Sequence, residues 1–346
     1  MRLEPNMNLS ALNTVALAMV TPGKGILAAD ESTGTIKKRF DAIAVESTAQ
    51  NRRDYREMLF RSDGMTFISG VILYDETIRQ NAADGTPLVK LIEQAGSIPG
   101  IKVDEGTQPL PGCPGETVTV GLDRLADRLA AYYALGARFA KWRAVIDLDK
   151  DRIPSMTAVH VNAHALGRYA ALCQAAGLVP IVEPEVLMDG DHDIGRCFDV
   201  TRRVMNEVFR ELRIQRVALE GMILKPNMVV SGQKCPVQAG VTEVADRTVQ
   251  LLKECVPAAV PGVAFLSGGQ SDAVATAHLD AINRRGPLPW MLTFSYGRAL
   301  QAAPQRVWAG RTANVPAAQR AFSHRARMNA LASRGQWTTE RENEAA

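Results

Sequence analysis

Ionisable residues stand close together in three short apolar segments of the sequence. Lys141 and Arg143 are two positions apart, as are Glu183 and Glu185, and Lys225 follows an apolar run. Alternate residues of a β-strand point to the same side, so a strand would present each pair together. Buried charges that only pair with one another are often no more stabilising than apolar packing. The pattern therefore favours a catalytic cluster over a layer of structural salt bridges.

Lys225 has the surroundings of a nucleophilic lysine. A free lysine is charged at pH 7, and removing its proton costs roughly 4 to 5 kcal/mol. Desolvation by the apolar residues before it, together with nearby cations, would lower that cost. A neutral amine condenses with a ketone, and the resulting iminium ion accepts electrons from a carbon–carbon bond as it breaks. Carboxylates would carry out the proton transfers, and the candidates are Glu183, Glu185 and Asp30.

Two glycine-containing segments near the C-terminus are suited to phosphate. LSGGQS at 266–271 leads from an apolar run into a helix start, where backbone N–H groups and the helix dipole attract anions. SYGR at 295–298 adds a glycine and the guanidinium of Arg298. A second cationic set consists of Lys38, Arg39 and Lys102. Two anion sites around one reactive lysine predict a substrate phosphorylated at both ends.

A scaffold has to position these residues, and apolar runs recur along the chain with helical patterns between them. We predict eight strands, at 25–30, 67–73, 100–104, 139–145, 179–186, 219–227, 263–269 and 288–297. Strands that alternate with helices indicate a parallel sheet. Eight such strands can close into a barrel. An open, doubly wound sheet is the alternative.

The unusual polar residues fall at the carboxyl ends of the predicted strands. In a (β/α)8 barrel these ends meet on one face, where active sites are built. We therefore predict an α/β protein with a single TIM-barrel domain over residues 1–346. The expected parts are an N-terminal helix, a barrel from about 24 to 310, and a C-terminal helix plus tail from about 311 to 346.

Composition excludes several other classes of protein. The 346 residues are 46% hydrophobic and 22% charged, as in ordinary globular proteins. No run approaches the ~18 to 20 apolar residues of a membrane span, and no signal-peptide cleavage site follows the first apolar stretch, so we expect a cytoplasmic location. Five cysteines without a CxxC pair argue against disulfides and zinc ribbons. A net charge of +3 without an aromatic-interleaved motif argues against nucleic acid as a partner.

The histidines and acidic loops predict no metal site, and no motif predicts a cofactor. His160 and His164 are four residues apart, but they lack the glutamate of an HExxH motif, so we interpret them as surface residues of a helix. DGDHD at 189–193 has only some of the ligands of a calcium loop and is better explained as a loop that caps a helix. Walker A and dinucleotide-binding patterns are missing from the sequence.

Eight segments together resemble the class I fructose-bisphosphate aldolases, and the resemblance extends over roughly 11–336. The segments are GKGILAADESTG (23–34), GVILYDET (70–77), GIKVDEG (100–106), AKWR (140–143), PIVEPE (180–185), LKPNM (224–228), FLSGGQS (265–271) and TFSYGRALQ (293–301). The resemblance implies reversible cleavage of fructose 1,6-bisphosphate to dihydroxyacetone phosphate and glyceraldehyde 3-phosphate through a lysine Schiff base. It also implies a homotetramer that acts in glycolysis and gluconeogenesis.

The same resemblance implies roles for individual residues. Lys225 would form the Schiff base and Glu183 would be the principal acid/base, with Glu185, Lys141 and Asp30 assisting. The 1-phosphate would be held by Ser267, Gly268, Gly269, Ser295, Gly297 and Arg298. The rest of the sugar phosphate would be held by Ser32, Thr35, Arg39, Lys102 and Arg143.

Two departures from the family pattern leave questions open. Animal members end in a mobile tail whose terminal tyrosine aids proton exchange, whereas the last tyrosine here is Tyr296. Glu105 replaces the more usual lysine, so the preference between fructose 1,6-bisphosphate and fructose 1-phosphate stays open. The alternative functions are those of a transaldolase-like lysine enzyme and of an inactive scaffold that binds RNA or actin.

Overall fold

The computed structural model describes residues 8–149 and 152–344. Its strands are β1 (Gly25–Ala29), β2 (Ile68–Leu73), β3 (Ile98–Lys102), β4 (Thr107–Pro109), β5 (Thr117–Thr119), β6 (Phe139–Ile146), β7 (Val179–Val186), β8 (Ile223–Leu224), β9 (Gly262–Phe265) and β10 (Met291–Tyr296). Eight of them form a closed parallel barrel in the order β1-β10-β9-β8-β7-β6-β3-β2. The predicted TIM barrel is therefore confirmed, and the open sheet is excluded.

Helices surround this barrel. They are α1 (Leu9–Met19), α2 (Thr33–Asp41), α3 (Ala49–Phe60), α4 (Asp75–Ile78), α5 (Leu88–Gln94), α6 (Leu125–Ala134), α7 (Met156–Ala175), α8 (Ile194–Ile214), α9 (Val241–Cys255), α10 (Asp272–Asn283), α11 (Arg298–Trp308), α12 (Val315–Ala332) and α13 (Thr339–Glu342). Within the described residues, none of these helices is both long and apolar enough to cross a membrane. Asp193 caps α8 through its side chain, as predicted for the acidic loop at 189–193.

Three predicted strands were too long. The segment 219–227 contains the two-residue strand β8, because Leu219–Gly221 forms a 3-10 turn and Pro226 has no N–H to donate to a neighbouring strand. The strand predicted at 263–269 ends at Phe265, before the turn at Gly268, whose φ is +54°. The strand predicted at 288–297 is β10, which starts at Met291. The antiparallel pair of β4 and β5 was not predicted.

Helix α1 closes one end of the barrel. Its buried residues Leu12, Ala16 and Met19 belong to one apolar cluster with Ile181 and Ile223 of the barrel strands. The predicted N-terminal helix is thereby confirmed. Apolar residues fill this end of the barrel, and the polar side chains are left at the other end, where the strands finish.

Strand alternation separates the polar residues from the outer core, as predicted. Trp142 is fully buried outside the barrel, with its ring centroid 5.6 Å from that of Tyr169 on α7. Lys141 and Arg143 on either side of it therefore point inward. The pairing of β6 with β7 aligns Arg143 with Glu183, whereas Lys141 is aligned with Ile181 and Glu185 with Val145, so the charged residues occupy successive levels of the barrel.

Candidate active site

A cavity of ≈ 1420 Å³ opens at the carboxyl ends of the barrel strands. It is lined by all of the residues predicted to be catalytic: Asp30, Lys141, Glu183, Glu185 and Lys225. It is also lined by these predicted substrate-binding residues: Ser32, Thr35, Arg39, Lys102, Arg143, Ser267, Gly268, Ser295, Gly297 and Arg298. Gly269 is the one predicted binding residue that does not line it. The barrel thus brings together residues that are up to 268 positions apart in the chain, from Asp30 to Arg298.

Lys225 is a buried amine held against a carboxylate. It directly follows β8, and its backbone N–H donates to the carbonyl of Val182 at 2.8 Å. Its side chain is 5% exposed, and its Nζ lies 3.1 Å from Oε1 of Glu183. The amine therefore has a proton acceptor within hydrogen-bonding distance and is shielded from bulk water.

Lys141 is held as a cation by two carboxylates. Its Nζ lies 2.7 Å from Oδ2 of Asp30 and 3.4 Å from Oε2 of Glu183. Burial opposes the charge, but Asp30 and Glu183 outweigh it and raise the pKa of Lys141 above its usual value. Burial likewise opposes ionisation of Asp30, yet Lys141 and Lys225 lower the pKa of that carboxyl to about 2. Asp30 and Lys141 therefore form a fixed charge pair beside Glu183.

Among the buried polar atoms of cavity-lining residues that have no hydrogen-bond partner within the described chain, two belong to predicted site residues. One is Oε2 of Glu183, which forms an ion pair with Lys141 at 3.4 Å but accepts no hydrogen bond. The other is Oγ of Ser295. Buried polar groups in folded proteins are nearly always paired. Because both residues line the cavity, these atoms are available to a bound molecule.

Glu185 has a different partner from Glu183. Its Oε2 forms an ion pair with Nε of Arg143. Burial opposes the charge of Arg143, but Glu185 outweighs it and raises the pKa of the guanidinium. Within the described part of the chain, no ion pair joins Glu185 to Lys141 or Lys225. Glu185 therefore positions Arg143 at the cavity wall, whereas Glu183 lies between the two lysines.

The loop after β9 meets the start of α11. The Arg298 guanidinium donates to the carbonyl of Gly268 at 2.6 Å, which fixes the loop at the cavity edge. Ser271 caps α10, so the helix begins where the loop ends. The N–H of Gly269 donates to Sδ of Met188 at 3.1 Å. That contact explains why Gly269, unlike Gly268, does not face the cavity.

The start of α2 supplies another part of the wall. The Ser32 hydroxyl accepts from the N–H of Thr35 at 3.3 Å, so both residues shape the helix start that faces the cavity. Nη1 of Arg39 lies 2.5 Å from Oε1 of the buried Glu31. Across the cavity, Nζ of Lys102 lies 2.7 Å from Oδ1 of Asp104. These ion pairs hold two of the predicted phosphate-binding cations in place.

The charged cavity residues that sequence reasoning missed include Glu31, Arg79 and Arg128. Glu31 directly follows Asp30, so its position after a strand was a usable signal. Arg79 follows α4 and Arg128 lies on α6, and neither stands at a strand end. Oε1 of Glu105 lies 3.5 Å from Nη1 of Arg128, so this acid is paired with a cation of the wall.

Tyr296 is not placed to exchange protons with a ligand. It is fully buried, and its hydroxyl donates to the carbonyl of Ala275 at 3.0 Å. Burial raises the pKa of the phenol far above its usual value. At the C-terminus, Glu342 contacts Arg325 and accepts from Nε1 of Trp337 at 2.8 Å. Among the described residues, none of α13 lines the cavity.

Replacing Arg298 with alanine is expected to weaken binding of a sugar bisphosphate. A guanidinium–phosphate pair is charge-assisted and often bidentate. A hydrogen bond to a charged group contributes roughly 1.5 to 3 kcal/mol, and because Arg298 is exposed we expect the difference to shrink as salt is added. The measurement is kcat/KM at several ionic strengths. Arg306→Ala, an exposed arginine on the same helix, is the control, and an unchanged kcat/KM in Arg298→Ala would remove Arg298 from the site.

Comparison with known proteins agrees with this geometry. Residues 11–346 match the family model described as fructose-bisphosphate aldolase class-I. A probable fructose-bisphosphate aldolase class 1 from Xanthomonas campestris pv. campestris is 56% identical over 96% of this chain and 99% of its own length. The cytosolic fructose-bisphosphate aldolase 4 of Arabidopsis thaliana is 53% identical over 91% of this chain and 80% of its own. A solved structure of the Plasmodium falciparum aldolase, in complex with TRAP and a small-molecule inhibitor, has a TM-score of 0.96 at 48% identity and covers 98% of each chain.

Proposed function

This chain belongs to the class-I fructose-bisphosphate aldolase family, and we propose that it cleaves fructose 1,6-bisphosphate through a Schiff base on Lys225. The resemblance found in the sequence is thereby confirmed, and the family match decides against a transaldolase-like activity. One observation carries the assignment of the nucleophile. Lys225 is a buried amine in the cavity whose Nζ lies 3.1 Å from a carboxylate oxygen of Glu183.

The reaction begins at the ketone of the substrate. The neutral amine of Lys225 adds to C2, water leaves, and a protonated imine forms. The C3–C4 bond then breaks and its electron pair moves toward the imine, which becomes an enamine. The C4 hydroxyl loses its proton and becomes the aldehyde of glyceraldehyde 3-phosphate. Protonation of the enamine at C3 and hydrolysis of the imine release dihydroxyacetone phosphate and restore Lys225.

Glu183 is the acid/base of this scheme. One of its oxygens lies 3.1 Å from the Lys225 amine, so it can take and return the protons of imine formation. Its other oxygen accepts no hydrogen bond within the described chain and is free to receive the C4 hydroxyl proton. Lys141 remains an ammonium beside that oxygen and stabilises the charge that develops there. Asp30 keeps Lys141 in position.

The phosphates bind at opposite sides of the cavity. The 1-phosphate lies at Ser267, Gly268, Ser295, Gly297 and Arg298, where backbone N–H groups and a guanidinium are combined. The 6-phosphate end lies toward the cations Arg39, Lys102 and Arg143, with Ser32 and Thr35 beside them. Gly269 is the sixth residue predicted for the 1-phosphate; its N–H donates to Sδ of Met188 in the structure, and its role in binding the phosphate stays a prediction.

We expect cleavage of fructose 1,6-bisphosphate to two triose phosphates with the same rate in buffer and in excess EDTA. The reason is that the protonated imine on Lys225 provides the electron sink that a bound metal would otherwise supply. No histidine of the described chain lines the cavity. The measurement is a coupled triose phosphate assay on EDTA-treated enzyme. Activity that EDTA abolishes and zinc restores would contradict the proposal.

The remaining inferences concern the whole molecule. Residues 1–346 form one domain, which is supported by the packing of α1 into the barrel and of Phe322 of α12 into the main core; residues 1–7, 150–151 and 345–346 lie outside the described part. The chain assembles as a homotetramer, as the family resemblance implies. It acts in the cytoplasm, for which the cytosolic Arabidopsis thaliana relative is the support.

A further inference from the structure

Helices α7 and α8 bring two histidines and two glutamates together on the outside of the barrel. His160 and His164 are four residues apart on α7, and Glu207 and Glu211 are four residues apart on α8. Nδ1 of His160 lies 2.7 Å from Oε1 of Glu207, and Nδ1 of His164 lies 3.0 Å from Oε2 of Glu211. None of the four lines the catalytic cavity. The cluster is therefore separate from the aldolase site.

The spacing of this cluster suits a metal ion. One ligand atom each from His160, Glu207 and Glu211 lie within 4.8 Å of one another. Around tetrahedral zinc, with metal–ligand bonds of about 2.0 to 2.2 Å, ligand atoms stand roughly 3.3 to 3.6 Å apart. The distances from Nδ1 of His160, 2.7 Å to Oε1 of Glu207 and 3.9 Å to Oε1 of Glu211, lie on either side of that range.

Close packing of α7 on α8 fixes the position of the Glu211 backbone relative to α7. Gly167 lies on α7 one turn beyond His164 and packs on the backbone of α8. A Cβ added at Gly167 would lie 3.2 Å from the carbonyl oxygen of Glu211. Glu211 itself is buried, with 3% of its surface exposed. A buried carboxylate on a closely packed helix pair is a preorganised ligand, because little side-chain freedom remains to be lost on binding.

We propose that His160, Glu207 and Glu211 bind one divalent transition-metal ion of the zinc class, with water as the fourth ligand. Imidazole and carboxylate together suit zinc and its neighbours in the first transition row better than calcium or magnesium, which take oxygen ligands. His164 is the orienting partner, since it contacts Oε2 of Glu211 from the outside.

Arg210 contacts all three of the proposed ligands. Its Nη2 lies 2.8 Å from Oε1 of Glu207, 3.2 Å from Oε1 of Glu211 and 3.5 Å from Nδ1 of His160. The side chain is half exposed, so it can turn into solvent and give up the two carboxylates.

A metal ion at this site would link α7 and α8, the helices that precede and follow β7 in the chain. Helix α7 joins β6, which carries Lys141, to β7, which carries Glu183, and α8 joins β7 to β8, which precedes Lys225. The ion therefore stabilises the fold around the catalytic strands and takes no part in the reaction. Sequence analysis missed the site, because the carboxylates come from a different helix, 47 positions further along the chain.

The test is a zinc titration of the full-length, EDTA-treated protein, followed by calorimetry and thermal melting. We expect one zinc ion per chain and a higher melting temperature at saturation, since the ion binds only the folded state. His160→Ala and Glu207→Gln each remove a proposed ligand and should weaken zinc binding by more than about 100-fold. His164→Ala removes only the orienting partner and should weaken it by ~10- to 100-fold. Arg210→Gln should tighten it. Cleavage of fructose 1,6-bisphosphate should be unchanged in all four variants.

A matched control is His324→Ala, since His324 also faces a carboxylate, with its Nε2 3.7 Å from Glu342, but lies outside the cluster. It should bind zinc like the parent protein. Binding that survives in both His160→Ala and Glu207→Gln, or no saturable binding at one ion per chain, would overturn the proposal. So would a thiolate charge-transfer band with cobalt, because that band would place the ion on cysteine.

Discussion

Lys225→Ala is expected to reduce turnover of fructose 1,6-bisphosphate by on the order of 10⁴-fold or more, since losing a covalent nucleophile removes the whole reaction path. Alanine cannot form an imine, so no electron sink replaces the one that is lost. Binding of the bisphosphate should persist, because its phosphate sites do not use Lys225. The measurements are kcat from a coupled assay and the Kd of the bisphosphate from calorimetry.

Lys141→Ala is the comparison for this variant. Lys141 also points into the barrel, but Asp30 and Glu183 hold it as an ammonium, which has no lone pair for attack. Its removal should slow the reaction while imine formation on Lys225 continues at a reduced rate. Comparable turnover in Lys225→Ala and the parent enzyme would show that another group is the nucleophile.

Glu183→Gln is expected to lower kcat by about 10²- to 10⁴-fold, the usual contribution of a general acid or base. Glutamine has nearly the same shape, so the cavity is kept while the proton acceptor is lost. The effect should be large because Glu183 contacts both the Lys225 amine and the Lys141 ammonium. Single-turnover kinetics would show whether imine formation or bond cleavage is slowed.

Glu185→Gln serves as its control on the same strand face. Glu185 forms its ion pair with Arg143, so this change should act mainly on KM, through the position of the guanidinium. Its effect on kcat should be much smaller than that of Glu183→Gln. Equal losses of kcat in the two variants would mean that Glu183 has no special place in the proton transfers.

Much of the fold could be predicted because the apolar residues and the alternation of a barrel strand indicate where the strand begins and ends. For β7, the apolar residues and the alternation of Glu183, Pro184 and Glu185 were enough to place both ends, at Val179–Val186. The expectation that strand ends meet likewise led to Asp30 and Lys225, which directly follow β1 and β8 and line the cavity.

The length of β8, the position of Gly269 and the partners of His160 could not be predicted, because they depend on contacts that local sequence patterns do not indicate. Strand β8 is short because a 3-10 turn before it and Pro226 after it replace the extended chain. Gly269 faces Met188, which is 81 positions away, and no property of the glycine loop shows this. His160 contacts Glu207 on another helix, and no pattern around His160 in the sequence indicates that partner. Contacts of the glycine loop and contacts between the outer helices are therefore what the sequence did not reveal, whereas the meeting of the strand ends was predicted.

Borohydride reduction in the presence of dihydroxyacetone phosphate tests the central claim most directly. The ketone condenses with the neutral amine, and the reagent reduces the iminium ion to a stable secondary amine, which inactivates the enzyme. Peptide mapping by mass spectrometry should then find one adduct per chain, on Lys225, with none in Lys225→Ala and slower labelling on Lys225 in Lys141→Ala. A label on Lys141, or no label at all, would contradict the mechanism.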